Sequence, residues 1–340
     1  VNKMDNALGR AAIIENGSPL FSGGTSSGES QIRRWLLEND LMEAIIALPV
    51  DLFYNTGIAT YIWVLSKNKR EERRGKIQLI DAGSIFHKLR KALGNKKNEI
   101  SPEDRSAITK LYADFAENEL CKIYPNTEFI YREYTVMQPL QRSYAVTEER
   151  IHAMLSKGSL SSLYDPAKVA ELENSEDELT GKELKKLENY KNNAPVYEAI
   201  IELLRCADDD KVYLSPAEFM PVLTKILSTA TTDKKLLDKI ADGLSVMDKS
   251  AEIQRDKKGN IIYDKETKDT EIVKFDESIE DYMAREVLPH VPDAQWFFEE
   301  DLSKKSPIVK TGAEIPFTRY FYKYQQPKPS EELEQRFLEL

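Results

Sequence analysis

Cysteine and histidine are scarce: two and three, respectively, in 340 residues. Cys121 and Cys206 are far apart, and neither has a second thiol or a histidine at metal-ligand spacing. A disulfide framework and a structural zinc site are therefore excluded, and no metal is expected. His87, His152 and His290 lie outside any recognisable serine- or cysteine-nucleophile motif, so no hydrolytic triad is legible. Long hydrophobic runs are also missing. None approaches the roughly 18 apolar residues of a membrane span, and the opening VNKMDNALGR has no signal-peptide apolar core. These absences point to a cytoplasmic protein with no membrane partner. The Gly/Ser stretch Ser22–Ser30 lacks both the Lys-Ser/Thr pair of a phosphate-binding loop and G-x-G-x-x-G spacing. It reads as a loop capping a helix.

What is present is charge, unevenly spread. The net charge is -10, yet Lys67 to Lys97 holds eleven Lys/Arg against three Asp/Glu. A basic island in an acidic chain is either a solvated loop or a strip that meets phosphates.

The first 90 residues read as α/β. "GRAAIIEN" (Gly9 to Asn16) is a short apolar run ended by Gly17-Ser18-Pro19, a strand and its breaker. Ser26 and Glu29 have capping-box spacing, and Ile32, Trp35 and Leu36 share a helical face that ends near Asn39. "MEAIIALP", "IATYIWVLSK" and "KIQLIDA" follow as buried strands. Continuous apolar runs suggest a parallel sheet covered on both faces, and one that starts in its middle.

Past residue 100 the pattern is chiefly helical. Helix starts stand at Ser101-Pro102, Thr147, Thr180 with Glu183, and Ser215-Pro216. Another helix runs from Ile279 to Val287 and stops at Pro289, and one more begins at Ser330. Glu128 to Val146 reads as extended. A Lys-Gly-Asn turn predicts a hairpin near 251–275. The composition shift divides the chain at 98/99.

One segment is specific as a string: "LPVDLFYNTGIATYIWVLSK". With "SPLFSGGTSSGESQIRRWLLENDLMEAIIA" before it and "GKIQLIDA" after it, the chain resembles the methyltransferase subunits of type I restriction-modification systems. The likeness continues in "YREYTVMQPLQRSYAVTEERI", "REVLPHVPDA" and "EIPFTRYFYKYQQPKP".

The resemblance implies an adenine-N6 DNA methyltransferase using S-adenosylmethionine. It implies an incomplete Rossmann-like sheet over residues 1–98, the C-terminal half of a catalytic domain. The mainly helical region 99–340 would serve subunit assembly. Implied partners are DNA, a specificity subunit, a second methyltransferase subunit and a restriction subunit. No Asn-Pro-Pro or Asp-Pro-Pro and no donor-binding glycine motif occur in the sequence. Catalytic and cofactor-binding residues are therefore expected outside this stretch, which by itself would be inactive and prone to self-association along an uncovered sheet edge.

In such enzymes an aromatic just before the last core strand stacks on the flipped-out adenine, and Phe53 matches that place. Read from the residues alone, Phe53 and Tyr54 would be core packing. The resemblance moves Phe53 to stacking and leaves Tyr54 between core and DNA. Asn55, Thr56 and Gly57 would shape the target-base loop. In the same context Arg70, Arg73, Arg74 and Lys76 become candidate phosphate contacts. Two alternatives are a non-enzymatic DNA-associated or assembly module, and another Rossmann-like enzyme lacking its N-terminal part.

Overall fold

Short apolar runs closed by turn residues become strands, and Ser, Thr or Asp at N-cap positions start most helices. The computed structural model describes residue 1 and residues 3–175, 179–207 and 209–324. Strand β1 (Arg10–Asn16) is followed by helices α1 (Ser18–Phe21) and α2 (Gly28–Glu38) and by strands β2 (Met42–Ala47), β3 (Thr60–Ser66) and β4 (Lys76–Asp81). Next come β5 (His87–Leu93), β6 (Lys96–Glu99), α3 (Pro102–Asp114), β7 (Cys121–Pro125), β8 (Ile130–Pro139) and β9 (Arg142–Val146). Helices α4 (Glu148–Ser156), α5 (Pro166–Glu173) and α6 (Gly181–Cys206) lead to β10 (Asp209–Tyr213), α7 (Pro216–Ile226), α8 (Lys234–Gly243) and β11 (Ser245–Met247). The last described elements are β12 (Tyr263–Lys274), α9 (Ile279–Tyr282), which runs on as a π-helical turn, β13 (Gln295–Phe297), β14 (Thr311–Ala313) and α10 (Phe317–Phe321). The helix expected from Ser330 lies outside the described residues.

The chain is mixed α/β and forms two compact units. The first comprises Val1–Val136, Asp269–Pro292 and the residues from Trp296 onward; the second comprises Met137–Lys268 with Asp293–Gln295. No helix among the described residues is long and apolar enough to cross a membrane.

The first unit holds a five-stranded sheet in the order β1-β3-β2-β4-β7. A parallel sheet was expected, but only β2 and β4 run parallel; β3 lies antiparallel between β1 and β2, and β7 is antiparallel to β4. Strand β1, expected in the core, is almost wholly exposed, with Ile13 at 42% and Ile14 at 54%. It stands at the end of the strand order, with a neighbour on one side only. On one face of the sheet α2 packs Leu36 and Leu37 against Met42, Ile45, Trp63 and Leu79. On the other, Ile108 of α3 meets Ile46, Ile80 and Cys121.

Helix α2 is rotated from its expected face. Ile32 and Trp35 are exposed, while Ser30, Arg33, Leu36 and Leu37 are buried. Its N-cap is Ser27, whose side chain accepts from Ser30 N, one residue later than the Ser26–Glu29 box. Arg33 explains the rotation. It is 1% exposed and donates to three carbonyls: Ala313 O at 2.7 Å, Pro19 O at 2.8 Å and Ser22 O at 2.8 Å. It thereby ties α2 to a segment some 280 residues away in sequence.

The second unit is built on the antiparallel sheet β10-β9-β11. Tyr144 stacks on Phe219 at 5.3 Å, above a core of Ile151, Met154, Ile200, Leu204, Leu223 and Ile240. A Cβ on Gly243 would fall 2.4 Å from Met154 Cγ, so α8 needs glycine there to approach α4. The Lys-Gly-Asn turn forms across Asp256–Asn260, with Gly259 at φ +86° and a bridge between Arg255 and Ile261. Strand β12 then neighbours β8 in its sheet.

Helix α3 is locked to the first sheet by charge. Glu43 of β2 is fully buried and takes Arg10 Nη2 at 2.7 and 2.8 Å and Tyr112 Oη at 2.6 Å. Arg73 lies 3.6 Å from the same carboxylate, donates to Gln78 Oε1 at 2.8 Å and to Tyr112 O, and stacks between the Tyr112 and Phe115 rings. Removing one partner of a buried ion pair strands the other. Glu43→Ala is therefore expected to destabilise the fold by about 3–5 kcal/mol. Paired with Arg73→Met, the loss should be smaller than the two single losses summed. Denaturant unfolding checks both, and a Glu43→Ala midpoint matching the parent would refute the lock.

A second tie joins β5 to α3: His87 Nδ1 lies 2.7 Å from Asp104 Oδ2, in the capping box of Ser101. The hydrogen bond to Asp104 raises the His87 imidazole above its ordinary value. The Ser101 backbone N–H, with His87 assisting, lowers the Asp104 carboxyl. The raised imidazole contributes fully below about pH 6.5, and that contribution is lost as pH rises through the folded value. The lowered carboxyl contributes above about pH 3.9 and is lost as pH falls through its folded value. Amide-exchange protection of β5 and β6, corrected for intrinsic rates, should therefore fall as pH rises above about 6.5. His87→Gln should flatten that profile; a flat profile in the parent protein would rule the tie out.

Candidate nucleic-acid interface

The loop between β2 and β3 carries the expected target-base residues. Its base is closed by Leu48 N donating to Thr60 O at 2.8 Å and Asp51 N to Gly57 O at 3.3 Å. Its tip is a tight turn in which Phe53 bridges Thr56 and Ile58 N donates to Thr56 Oγ1. Phe53 is half-buried, Asn55 exposed, and Tyr54 64% exposed at the tip. A Cβ at Gly57 would lie 2.6 Å from Asp51 Oδ1, so a larger residue there would displace that carboxylate. The sequence left Tyr54 between core and DNA; it lies in neither core cluster of the first unit.

A hairpin the sequence did not reveal braces this loop. Strands β5 and β6 form a two-stranded sheet of their own. From it Asn95 N donates to Tyr54 O at 3.0 Å, and Lys97 N and Asn98 N donate to Asp51 O at 2.9 and 3.1 Å. Asn98 Nδ2 reaches Val50 O at 2.9 Å. Lys96 sits 5.2 Å over the Tyr54 ring, and Lys97 pairs with Asp51 at 3.4 Å. The signal that could have found the hairpin is Gly94-Asn95, with Gly94 at φ +64°, set between two short basic runs.

The four arginine and lysine candidates do not behave as a set. Arg73 is 2% exposed and committed to Glu43, Gln78 and the Tyr112 carbonyl, so the expected phosphate contact there is corrected to a structural role. Arg70, Arg74 and Lys76 are exposed and have no ion-pair partner among the described residues. They are not beside Phe53, however. The Phe53 loop enters β3 at Thr60, whereas the strip leaves it after Ser66. Seven residues of strand put the two at opposite edges of the sheet, roughly 20 Å apart. Lys69, in the same strip, is buried against Asp40 and the Lys76 carbonyl at 2.6 Å each, and burial pulls its ammonium below its ordinary value.

The family described as N-6 DNA Methylase matches residues 1–150. The chain is 32% identical over 154 residues to the type I restriction enzyme MjaVIII methylase subunit of Methanocaldococcus jannaschii, covering 44% of this chain and 26% of that protein. It is 36% identical over 110 residues to the MjaVII methylase subunit of the same organism, 32% of this chain and 18% of that one. It is 39% identical over 75 residues to the HindI methylase subunit of Haemophilus influenzae, 22% and 16%. Among solved structures, a type I restriction-modification methyltransferase subunit from Streptococcus thermophilus matches with a TM-score of 0.31 at 26% identity, covering 35% of this chain and 24% of that one. The chain thus spans about a quarter or less of the length of these relatives. Residues 1–150 thus match the N-6 DNA Methylase family, and methylase subunits of type I restriction enzymes are among the proteins this chain is similar to.

Proposed function

We propose that the intact polypeptide is the modification subunit of a type I restriction-modification system and methylates adenine N6 in DNA, with S-adenosylmethionine as the methyl donor. The observation that carries this is the N-6 DNA Methylase match over residues 1–150. The sheet β1-β3-β2-β4-β7 then counts as part of a Rossmann-like sheet. Two features support continuation beyond β1: its one-sided pairing, and a mainly apolar cleft of about 570 Å³ lined by Ala11, Ala12, Ile62, Val64 and Ile108. Residues 1–98 would belong to the catalytic domain, and the chain beyond them to assembly with a specificity subunit, a second methyltransferase subunit and a restriction subunit.

The residues of this chain do not fit a methyl-donor pocket. Its glycine-rich loop is already engaged. Thr25 Oγ1 donates to Glu133 at 3.2 Å, Ser26 Oγ to Val309 O at 3.2 Å, and the Thr25 carbonyl accepts from Gln31 Nε2 at 2.6 Å. A Cβ on Gly23 would fall 1.9 Å from Ser27 Oγ. The methyl donor would be held by other residues of the intact protein, and no step through it is assigned to this chain.

What this chain would supply is the platform for the target base. A flipped adenine loses its stacking neighbours, and an aromatic face replaces them. Phe53 is half-buried at the base of the turn and has no ring partner among the described residues, which leaves its face available. Asn55, Thr56 and Gly57 set the turn that presents it. Arg70, Arg74 and Lys76 would meet phosphates on a different stretch of backbone, at the far edge of the sheet.

Stacking of this kind is worth roughly 1–3 kcal/mol. In the intact methylase, Phe53→Ala should weaken binding of target DNA by about 5- to 150-fold. Phe53→Trp should retain it. A 2-aminopurine at the target adenine reports the base's environment directly and separates stacking from packing. Unchanged fluorescence and methylation kinetics in Phe53→Ala would remove the assignment.

A further inference from the structure

We propose that the β5–β6 hairpin is a DNA-backbone-binding ribbon that grips phosphates beside the target-base loop. The proposal rests on the assignment of that loop to base flipping. From His87 to Glu99 the hairpin carries Lys88, Arg90, Lys91, Lys96 and Lys97 and a single acidic residue, Glu99, at its far end. Lys88, Arg90 and Lys91 are exposed, and none has an ion-pair partner among the described residues.

Some cations elsewhere are matched, such as Lys249 with Asp293 and Lys274 with Glu128; what sets the hairpin apart is how densely its cations are gathered. In a chain of net charge -10, acids are the more abundant partner. The ribbon gathers five cations against one acid, Glu99 at its far end, and Lys88, Arg90 and Lys91 are left available for an external anion.

The ribbon is also aimed. A two-stranded hairpin is marginal alone, and this one is fastened where it matters to the loop it borders, by the bonds from Asn95, Lys97 and Asn98 to Tyr54 and Asp51. Gly94 is dictated by that fit, because a Cβ would sit 2.6 Å from the Tyr54 carbonyl. The far end is tied to α3 through His87 and Asp104. Lys96, over the exposed Tyr54 ring, joins the cationic ribbon to the turn that holds Phe53. Extruding a base requires its flanking backbone to be held, and cations fixed to the loop itself do this without a moving part.

The test compares two triple variants in the protein within its native assembly, both losing three positive charges: Lys88→Gln/Arg90→Gln/Lys91→Gln on the ribbon and Arg70→Gln/Arg74→Gln/Lys76→Gln at the opposite edge. Binding of a mixed-sequence DNA duplex is measured against salt concentration. Each phosphate contact contributes about 0.9 to the log-log slope. The ribbon triple should therefore make the slope less negative by about 2 to 3, whether or not the other triple also changes it. Lys88→Arg/Lys91→Arg should keep the parent slope, and matching melting curves confirm that folding is intact. A parent-like slope in the ribbon triple overturns the proposal, and so does a change confined to the opposite-edge triple. Failure of base stacking reads out separately. If Phe53→Ala leaves 2-aminopurine fluorescence and methylation unchanged while the ribbon triple loses its slope, the base-flipping assignment falls and the ribbon stands.

Discussion

The direction of β3 governs the site. It is inserted antiparallel between β1 and β2, so whatever precedes it and whatever follows it must emerge at opposite edges of the sheet. Strand β4 then runs back parallel to β2 and returns the chain to the first edge. One contiguous basic island, Lys67 to Lys97, is thereby cut in two. Its first part lies at the edge away from Phe53, and its second part lies against the Phe53 loop. Charge that is adjacent along the sequence is separated by the length of a strand, and charge some 40 residues from Phe53 in sequence becomes its neighbour.

Buried polar groups hold this arrangement. Glu43, Lys69 and Arg33 each sit at or near zero exposure, where an unpaired charge would be prohibitive. Each is satisfied by partners from other elements: Glu43 by β1 and α3, Lys69 by Asp40 and a carbonyl of β4, Arg33 by carbonyls alone. Burial without a carboxylate partner lowers the Arg33 guanidinium below its ordinary value. These ties have geometry that apolar packing lacks, and they fix which way α2 and α3 face the sheet.

Much of the fold was legible in the sequence because its signals are local. The apolar runs at 10–16, 42–47, 60–66 and 76–81 are strands, and Ser101, Thr147, Thr180 and Ser215 are N-caps. What failed depends on long-range partners. Ile32 and Trp35 have the spacing of a core face, but the tie from Arg33 to Ala313 turns α2 the other way. Arg73 and Arg74 are equivalent by charge and position; only the carboxylate of Glu43, thirty residues earlier, separates a structural arginine from an exposed one. Strand β1 has a core composition, yet it stands at one end of its sheet, with one neighbour among the described residues. The Phe53 loop was found by resemblance to a family. Its brace escaped notice because a short basic hairpin has no hydrophobic alternation to announce it.

The bond from Arg33 to Ala313 also bears on how the protein is made. Ala313, Ile315 and Phe317 belong to the same core as Leu36, Ile45 and Trp63, so the first unit is closed by residues synthesised after the second unit. On a ribosome, where earlier domains generally fold as they emerge, the second unit is exposed in full while the first still lacks its final core residues. For that interval Arg33 has no Ala313 carbonyl to meet, and the apolar surface of α2 and β2 is uncovered. The first unit thus completes its core later than the second, although most of its residues precede the second in sequence.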